Sequence, residues 1–416
     1  MKLKHVSSFM AGGTPDTANE RFWSDEGTPW VSIGDMSAGG EVRTTAKSLS
    51  HEGIVDRRLS IGKRGTVLFA MYASVGAVAT LGVPATWNQA LLGVTPTLDL
   101  ADSRFIAYWL RHYAPEAVAE ARSATQANLN AEQVANFPFP DHTVEEQRRI
   151  ADFLDDRVSR IDRIIAARRE QMERVAESRS RLSYDVVRGA TVPGARRDSH
   201  LDWLGDIPTT WGVLSVGSQF TVELGKMLDD KRQTGVHSLP YLRNTNVQWD
   251  EVSVDDLKEM DIPDTEYARY TVKAGDLLIC EGGQPGRGAI WDGRIAPLGF
   301  QKALHRARSR GRSLSGWLLE CLRVAVELDV FTAASGQTTI AHLTNEQLRG
   351  QRFPFPDREV QSRLLDELGR RRGAMTSIID TLADSIELLT EYKSSLITAA
   401  VTGQLDVSTA GSNIPG

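Results

Sequence analysis

Four arginines, Arg306, Arg308, Arg310 and Arg312, fall at every second position of QKALHRARSRGR (301–312). On a strand, a period of two puts all four side chains on one face. A row of like charges is unfavourable unless something anionic lies along it, and a nucleic-acid phosphate backbone is such an anion. A flexible basic loop, or a contact with an acidic protein, fits the same spacing. Two further stretches join hydrogen-bonding side chains to glycines. LFAMYASVG (68–76) places Tyr72 and Ser74 before Gly76, and LICEGGQPGRG (278–288) offers Glu281, Gln284 and Arg287. A glutamate can accept from a cytosine amine, a glutamine amide can pair with adenine and an arginine with guanine; an ordinary hairpin turn is the plainer reading. Gln89 and Gln301 join this set, as do Thr125 and Gln126 of SATQANLN (123–130) and Gln337 and Thr338 of SGQTTIAHL (335–343). Small polar residues there suit phosphate contacts, and suit a turn with a helix N-cap equally well.

Covalent and metal chemistry is poorly supplied. An amino-methyltransferase needs an Asn/Asp-Pro-Pro-aromatic loop to hold the target amine, and the chain has no Pro-Pro dipeptide. A phosphate-driven motor needs G-x-x-x-x-G-K-[ST]; EGGQPGRGAI (281–290) has glycines but no following Lys-Ser/Thr, and reads as a turn. DDKRQ (229–233) has the composition of a metal-nuclease cluster but reads as a solvated loop, and the eight histidines show no ligand spacing. The expectation is a chain that is not an enzyme and carries no metal or cofactor.

The elements that must position these residues come in two copies. FPFPD occurs at Phe137–Asp141 and again at Phe353–Asp357. At an offset of about 214 residues, ERVAESRSRLSYDVVRG (173–189) lies over ELLTEYKSSLITAAVTG (387–403), with Leu182/Leu396, Val187/Val401 and Gly189/Gly403 identical. Leu129 matches Leu343, GTVLFA (65–70) matches GDLLIC (275–280), PWVSIGDM (29–36) matches PYLRNTNV (240–247), and Gln89 is paired with Gln301. Each copy opens with about 140 residues of short β-like runs rich in Gly and Pro. A helical run follows. Thr143 with Glu146 reads as a capping box. Ile150, Leu154, Ile161 and Leu182 in the first run, and Leu368, Ile379, Leu389 and Leu396 in the second, keep a coiled-coil beat. Gly189 and Gly403 stand where C-terminal caps belong. The predicted fold is α+β and multidomain: two mixed α/β domains (1–140 and 198–357) with two long helices (141–197 and 358–416) that pair antiparallel through their apolar stripes. A parallel coil between two chains is the alternative.

Composition sets the outer bounds. The chain has 416 residues, 41% of them hydrophobic and 25% charged, and a formal charge of −6. That charge argues against bulk nucleic-acid binding, so any DNA contact must use local patches. No run of about eighteen apolar residues predicts a membrane span, no secretory leader is expected at the N-terminus, and two cysteines fit a reducing cytoplasm.

The motifs resemble one family. LDWLGDIPTTW (201–211) resembles the lead-in to a target recognition domain of the specificity subunits of type I restriction–modification systems. FPFPDHTVEEQRRIADFLDDRVSRID resembles the opening of that family's central spacer helix, and EYKSSLITAAVTGQLDV (391–407) its C-terminal helix end. The first copy lacks the WLG-type lead-in, and REVQSRLLDEL carries Val360-Gln361 where the first copy has Glu146-Gln147. The resemblance implies a non-catalytic protein whose two domains each read half of a split sequence in double-stranded DNA. It also implies that the helices act as spacer and as dock for two adenine-methyltransferase subunits, with restriction subunits joining the complex. A coiled-coil interaction scaffold without sequence-specific DNA binding is the competing expectation.

Overall fold

The computed structural model describes residues 1–36, 40–97, 99–123, 128–228, 235–333 and 342–408. Packing divides the chain into two units, Met1–Arg169 with Leu382–Gly416, and Glu170–Thr381. Each long helix is thus divided between the two units.

The first unit is built on a five-stranded sheet in the order Ser7–Ala11, Leu91–Pro96, Val67–Ala70, Val78–Leu81, Gly40–Val42. Val67–Ala70 is buried throughout, and Val94 lies opposite both Phe9 and Val67. The helix Ser103–Ser123 shares a core with this sheet through Phe105, Ile106, Leu110 and Tyr113. A smaller sheet pairs Trp23–Val31 with Lys47–Leu49 and, in parallel, with Thr86–Trp87. The second unit repeats the scheme in shorter form. Its sheet runs Phe220–Leu224, Leu304–Ser309, Leu277–Cys280, Gly288–Ile290, and the helix Ser315–Glu327 shares its core through Trp317, Leu318 and Leu322. Its smaller sheet joins Ser238–Leu242 to Lys258–Asp261 and, in parallel, to Gly299–Phe300.

FPFP has one job in both units. Alternation aims both phenylalanines at the core, and Phe137, Phe139, Phe353 and Phe355 are all buried. The proline carbonyl between them accepts the indole N–H of the domain helix, Trp109 Nε1 to Pro138 O and Trp317 Nε1 to Pro354 O, each 2.8 Å. Proline has no N–H to leave unpaired there. The segment also pairs with the start of its unit: Leu3 N donates to Phe137 O, and Val213 lies opposite Pro354.

The central helix spans Val144–Val187 and the C-terminal helix Arg358–Val401, 44 residues each. Thr143 and Glu146 form the expected reciprocal cap, at 2.8 and 3.3 Å. Gly189 (φ 67°) and Gly403 (φ 75°) take the left-handed conformation just past each helix end, which only glycine adopts without strain. A second device was not legible in sequence. Gln147 and Gln361 are buried; their side-chain oxygens accept from Asp102 N and Leu314 N, and their amides donate to His142 O and Pro356 O. Each glutamine pins its long helix to the start of a domain helix.

Ile150 and Leu154 share the first unit's core with Ile397, Ala400 and Val401, with Leu396 packed against it, and Lys393 pairs with Asp162 at 2.7 Å. Leu182 and Leu368 share the second unit's core. Ile161 is buried, whereas Ile379 and Leu389 are half-buried. Among the described residues, no helix is long and apolar enough to cross a membrane.

Candidate nucleic-acid interface

In each unit the ends of several strands deliver loops to one place. In the first, Met71 N donates to Ala90 O, Leu129 N to Met71 O, Asn88 N to Val31 O and Gly13 N to Trp87 O. These bonds gather the segments at 12–14, 71–76, 88–90 and 128–130. In the second, Glu281 N donates to Ala303 O, Leu343 N to Glu281 O, Gln301 N to Leu242 O and Lys226 N to Phe300 O. The same four backbone bonds therefore join the segments at 225–227, 281–286, 301–303 and 342–343.

The loop after the central strand turns identically in both. Gly76 N reaches Ala70 O and Gly286 N reaches Cys280 O, each 3.0 Å. Ala73 (φ 60°) matches Gly283 (φ 74°), and Gly76 (φ 89°) matches Gly286 (φ 91°). A Cβ at Gly76 would lie 2.8 Å from Ala114 Cβ, and one at Gly286 2.7 Å from Phe331, so both turns sit tightly on the helical side of their domain. Ala73 holds a conformation that disfavours alanine, a strain seen where geometry serves a site.

On this scaffold Ser74 and Gln284 are exposed, while Tyr72, Glu281 and Gln301 are half-buried. Gln89 is exposed, and its side-chain oxygen accepts from the Thr14 hydroxyl. Such groups can donate and accept, which base edges require. Thr125, Gln126, Gln337 and Thr338 lie outside the described residues, as does DDKRQ.

Three expectations are corrected. The arginine row does not line a free face. The strand ends at Ser309, so only Arg306 and Arg308 belong to it. Arg306 is 3% exposed; its guanidinium lies over Phe300 and donates to Ala268 O (3.2 Å) and Thr271 O (2.6 Å). Burial, and then the neighbouring Arg308, push its pKa below the ordinary arginine value. Arg308 forms a two-pronged pair with the buried Asp276, at 2.7 and 2.6 Å, and that bond raises its pKa. A cation already satisfied inside the domain is not available to phosphate. Arg310 and Arg312 lie beyond the strand and are exposed. Second, Arg287 is half-buried and donates to Asn244 O at 3.3 Å, while the Asn244 amide donates to Gly282 O at 3.0 Å. That bond ties the loop to the segment at 244–246. Third, the backbone bonds match Gln301 with Asn88, so Gln89 corresponds to Lys302. Lys302 is exposed in the second unit's loop cluster and went unnoticed in sequence, because a one-residue gap hid its register.

Residues 1–174 match the family model described as the type I restriction modification DNA specificity domain. The chain is 25% identical over 162 residues to the specificity subunit of the type I restriction enzyme EcoR124I/EcoR124II of Escherichia coli, covering 37% of this chain and 39% of that protein. It is 24% identical over 176 residues to the MjaIX specificity subunit of Methanocaldococcus jannaschii, again 39% of the relative's length. The putative MjaX specificity subunit of the same organism matches over 385 residues at 22% identity, 87% of this chain and 83% of the relative. The fold is shared with the HsdS subunit from Thermoanaerobacter tengcongensis (TM-score 0.62, 16% identity, 97% and 96% coverage). It is also shared with a chain from a study of complex assembly and conformational transition in the type I R-M system (TM-score 0.70, 16% identity, 97% of both chains).

Proposed function

We infer, from the premise that this chain belongs to the family of type I restriction–modification specificity subunits, that it supplies such a complex with its DNA target. Each of the two loop clusters reads one half of a two-part sequence in double-stranded DNA. Ser74 and Gln89 face the bases in the first cluster, with Tyr72 beside them. Gln284, Glu281 and Gln301 do so in the second, with Lys302 on phosphate. The central and C-terminal helices pair antiparallel as a coiled coil, separate the half-sites and dock two methyltransferase subunits, with restriction subunits completing the assembly. Methylation of adenine is the partners' chemistry; this chain contributes no catalytic group, needs no cofactor and works in the cytoplasm. The observation that carries this reading is the recurrence of one loop cluster, bond for bond, under two different sets of exposed side chains. A shared frame with unlike side chains is what two independent readings of DNA require. Methylome sequencing of a host with and without this chain tests it. A split motif that is methylated only when the chain is present is the expected result; identical methylomes contradict the reading.

A further inference from the structure

The second unit contains an ion cluster where three helices meet, and recognition chemistry makes no use of it. Arg372 of the C-terminal helix donates to both oxygens of Glu320 on the domain helix, and to Ser183 Oγ of the central helix, all at 2.6 Å. The Glu320 side chain is 5% exposed. Arg323, one turn on, lies 3.6 Å from Glu320 and 2.5 Å from Asp250, with its guanidinium 4.5 Å over the Trp249 ring. Around the cluster the contact is apolar: Leu182, Leu364 and Leu368 share a core with Trp317 and Leu319.

Apolar packing is not directional. A ridge of leucines can settle in neighbouring grooves, and a shift of one helical turn is about 5.4 Å. A two-pronged arginine–carboxylate contact fixes both distance and direction. Any other seating strips the buried Glu320 carboxylate of its two-pronged partner and leaves it only Arg323 of its own helix, at 3.6 Å, which is unfavourable. Buried ion pairs add little net stability over apolar replacements, and their best-attested use is to select one register. The first unit is built differently. There Arg104 of the domain helix reaches Asp152 and Asp155 of the central helix at 2.7 and 2.8 Å, but its side chain is 41% exposed and that of Asp152 68%. Water competes for such pairs, so they hold register weakly.

We propose that Arg372 is a positioning residue: its clamp on Glu320 and Ser183 fixes the seating of the second recognition domain on the helices and thereby sets the length of the unread gap between half-sites. The inference rests on the functional reading above. In a chain that reads two half-sites, a slip of one helical turn moves one of them by roughly one to two base pairs along DNA. The clamp excludes that slip.

The test uses the full chain assembled with its methyltransferase subunits, and a plasmid library in which the half-sites are separated by gaps of different length. The apolar double variant, Arg372→Met with Glu320→Leu, removes both charges together and avoids an orphaned carboxylate. It is expected to keep its unfolding temperature and its half-site sequences. It should also methylate gaps one base pair shorter or longer, which the wild type rejects by about tenfold, the scale of a single mismatch. Arg372→Lys keeps the charge but loses the second prong, and should show the same loosening to a smaller degree; it decides the matter if the double variant does not fold. A single gap length retained by whichever variants fold overturns the inference. A wild-type complex that methylates no two-part motif overturns the functional reading and this inference with it.

Discussion

Arg308 and Lys302 lie six residues apart in the sequence and have opposite expected roles. Arg308 is paired with Asp276, whose side chain is 2% exposed. Among the described residues, Arg308→Ala leaves that carboxylate with only the Lys273 backbone N–H as a hydrogen-bond donor, and should cost about 1–3 kcal/mol. Calorimetry should show a lower unfolding temperature, while the salt dependence of DNA binding keeps its slope. Lys302→Ala should do the reverse, leaving the unfolding temperature intact and reducing the slope by about 0.9 for one lost phosphate contact. His305 adds a pH signature. Its ring is buried, Nε2 donates to Leu343 O at 2.7 Å, and burial lowers its pKa below 6.5. A base with a depressed folded pKa binds its proton more readily when unfolded. Stability therefore holds above about pH 6.5 and falls with pH until the folded pKa is passed. His305→Gln should flatten the loss of unfolding temperature between pH 7 and pH 5; an unchanged pH profile contradicts this role. The arginine row misleads in sequence because its answer lies elsewhere in the chain. The carbonyls of Ala268 and Thr271 and the Asp276 carboxylate reach it only through tertiary structure.

The long helices were the most legible elements, because their signals are local. Thr143 with Glu146, the apolar beat through Ile150 and Leu154, and Gly189 and Gly403 past the ends all lie within a turn or two of what they specify. Gln147 and Gln361 gave no such signal: their acceptors and donors on Leu100, Asp102 and Ser313 lie some 45 residues away. The loop clusters were legible in outline through Gly76 and Gly286, but the matching of Asn88 with Gln301 appears only in the backbone bonds. If the helices act as the ruler between half-sites, their length is a variable that can be changed. Deleting 168–174 together with 382–388 removes one heptad from each and keeps the apolar seam in phase. Each helix then loses roughly 10 Å. The unread gap should shrink by up to about three base pairs at 3.4 Å each, with the half-site sequences intact. A folded, active variant with the original gap would assign the ruler to the methyltransferase subunits instead.

At the scale of the whole molecule, two frames share their backbone bonding and differ in exposed side chains. Ser74 and Gln89 stand on one frame, Gln284 and Lys302 on the other. Each frame is seated on its own sheet and domain helix, and each closes with its own FPFP segment against the start of its unit. Nothing in that construction requires the side chains of one cluster to adjust when those of the other change, so the two readings should be separable. Exchanging residues 1–140 for the corresponding domain of a relative is the most direct measurement. The junction falls at Pro140, ahead of the Thr143 cap, and leaves the central helix, the second unit and the C-terminal helix unaltered. The chimera, assembled with its methyltransferase subunits, should methylate a motif in which one half-site is new while the other half-site and the gap are those of the parent. A motif altered in both halves, or not altered at all, would contradict two independent readers carried on one chain.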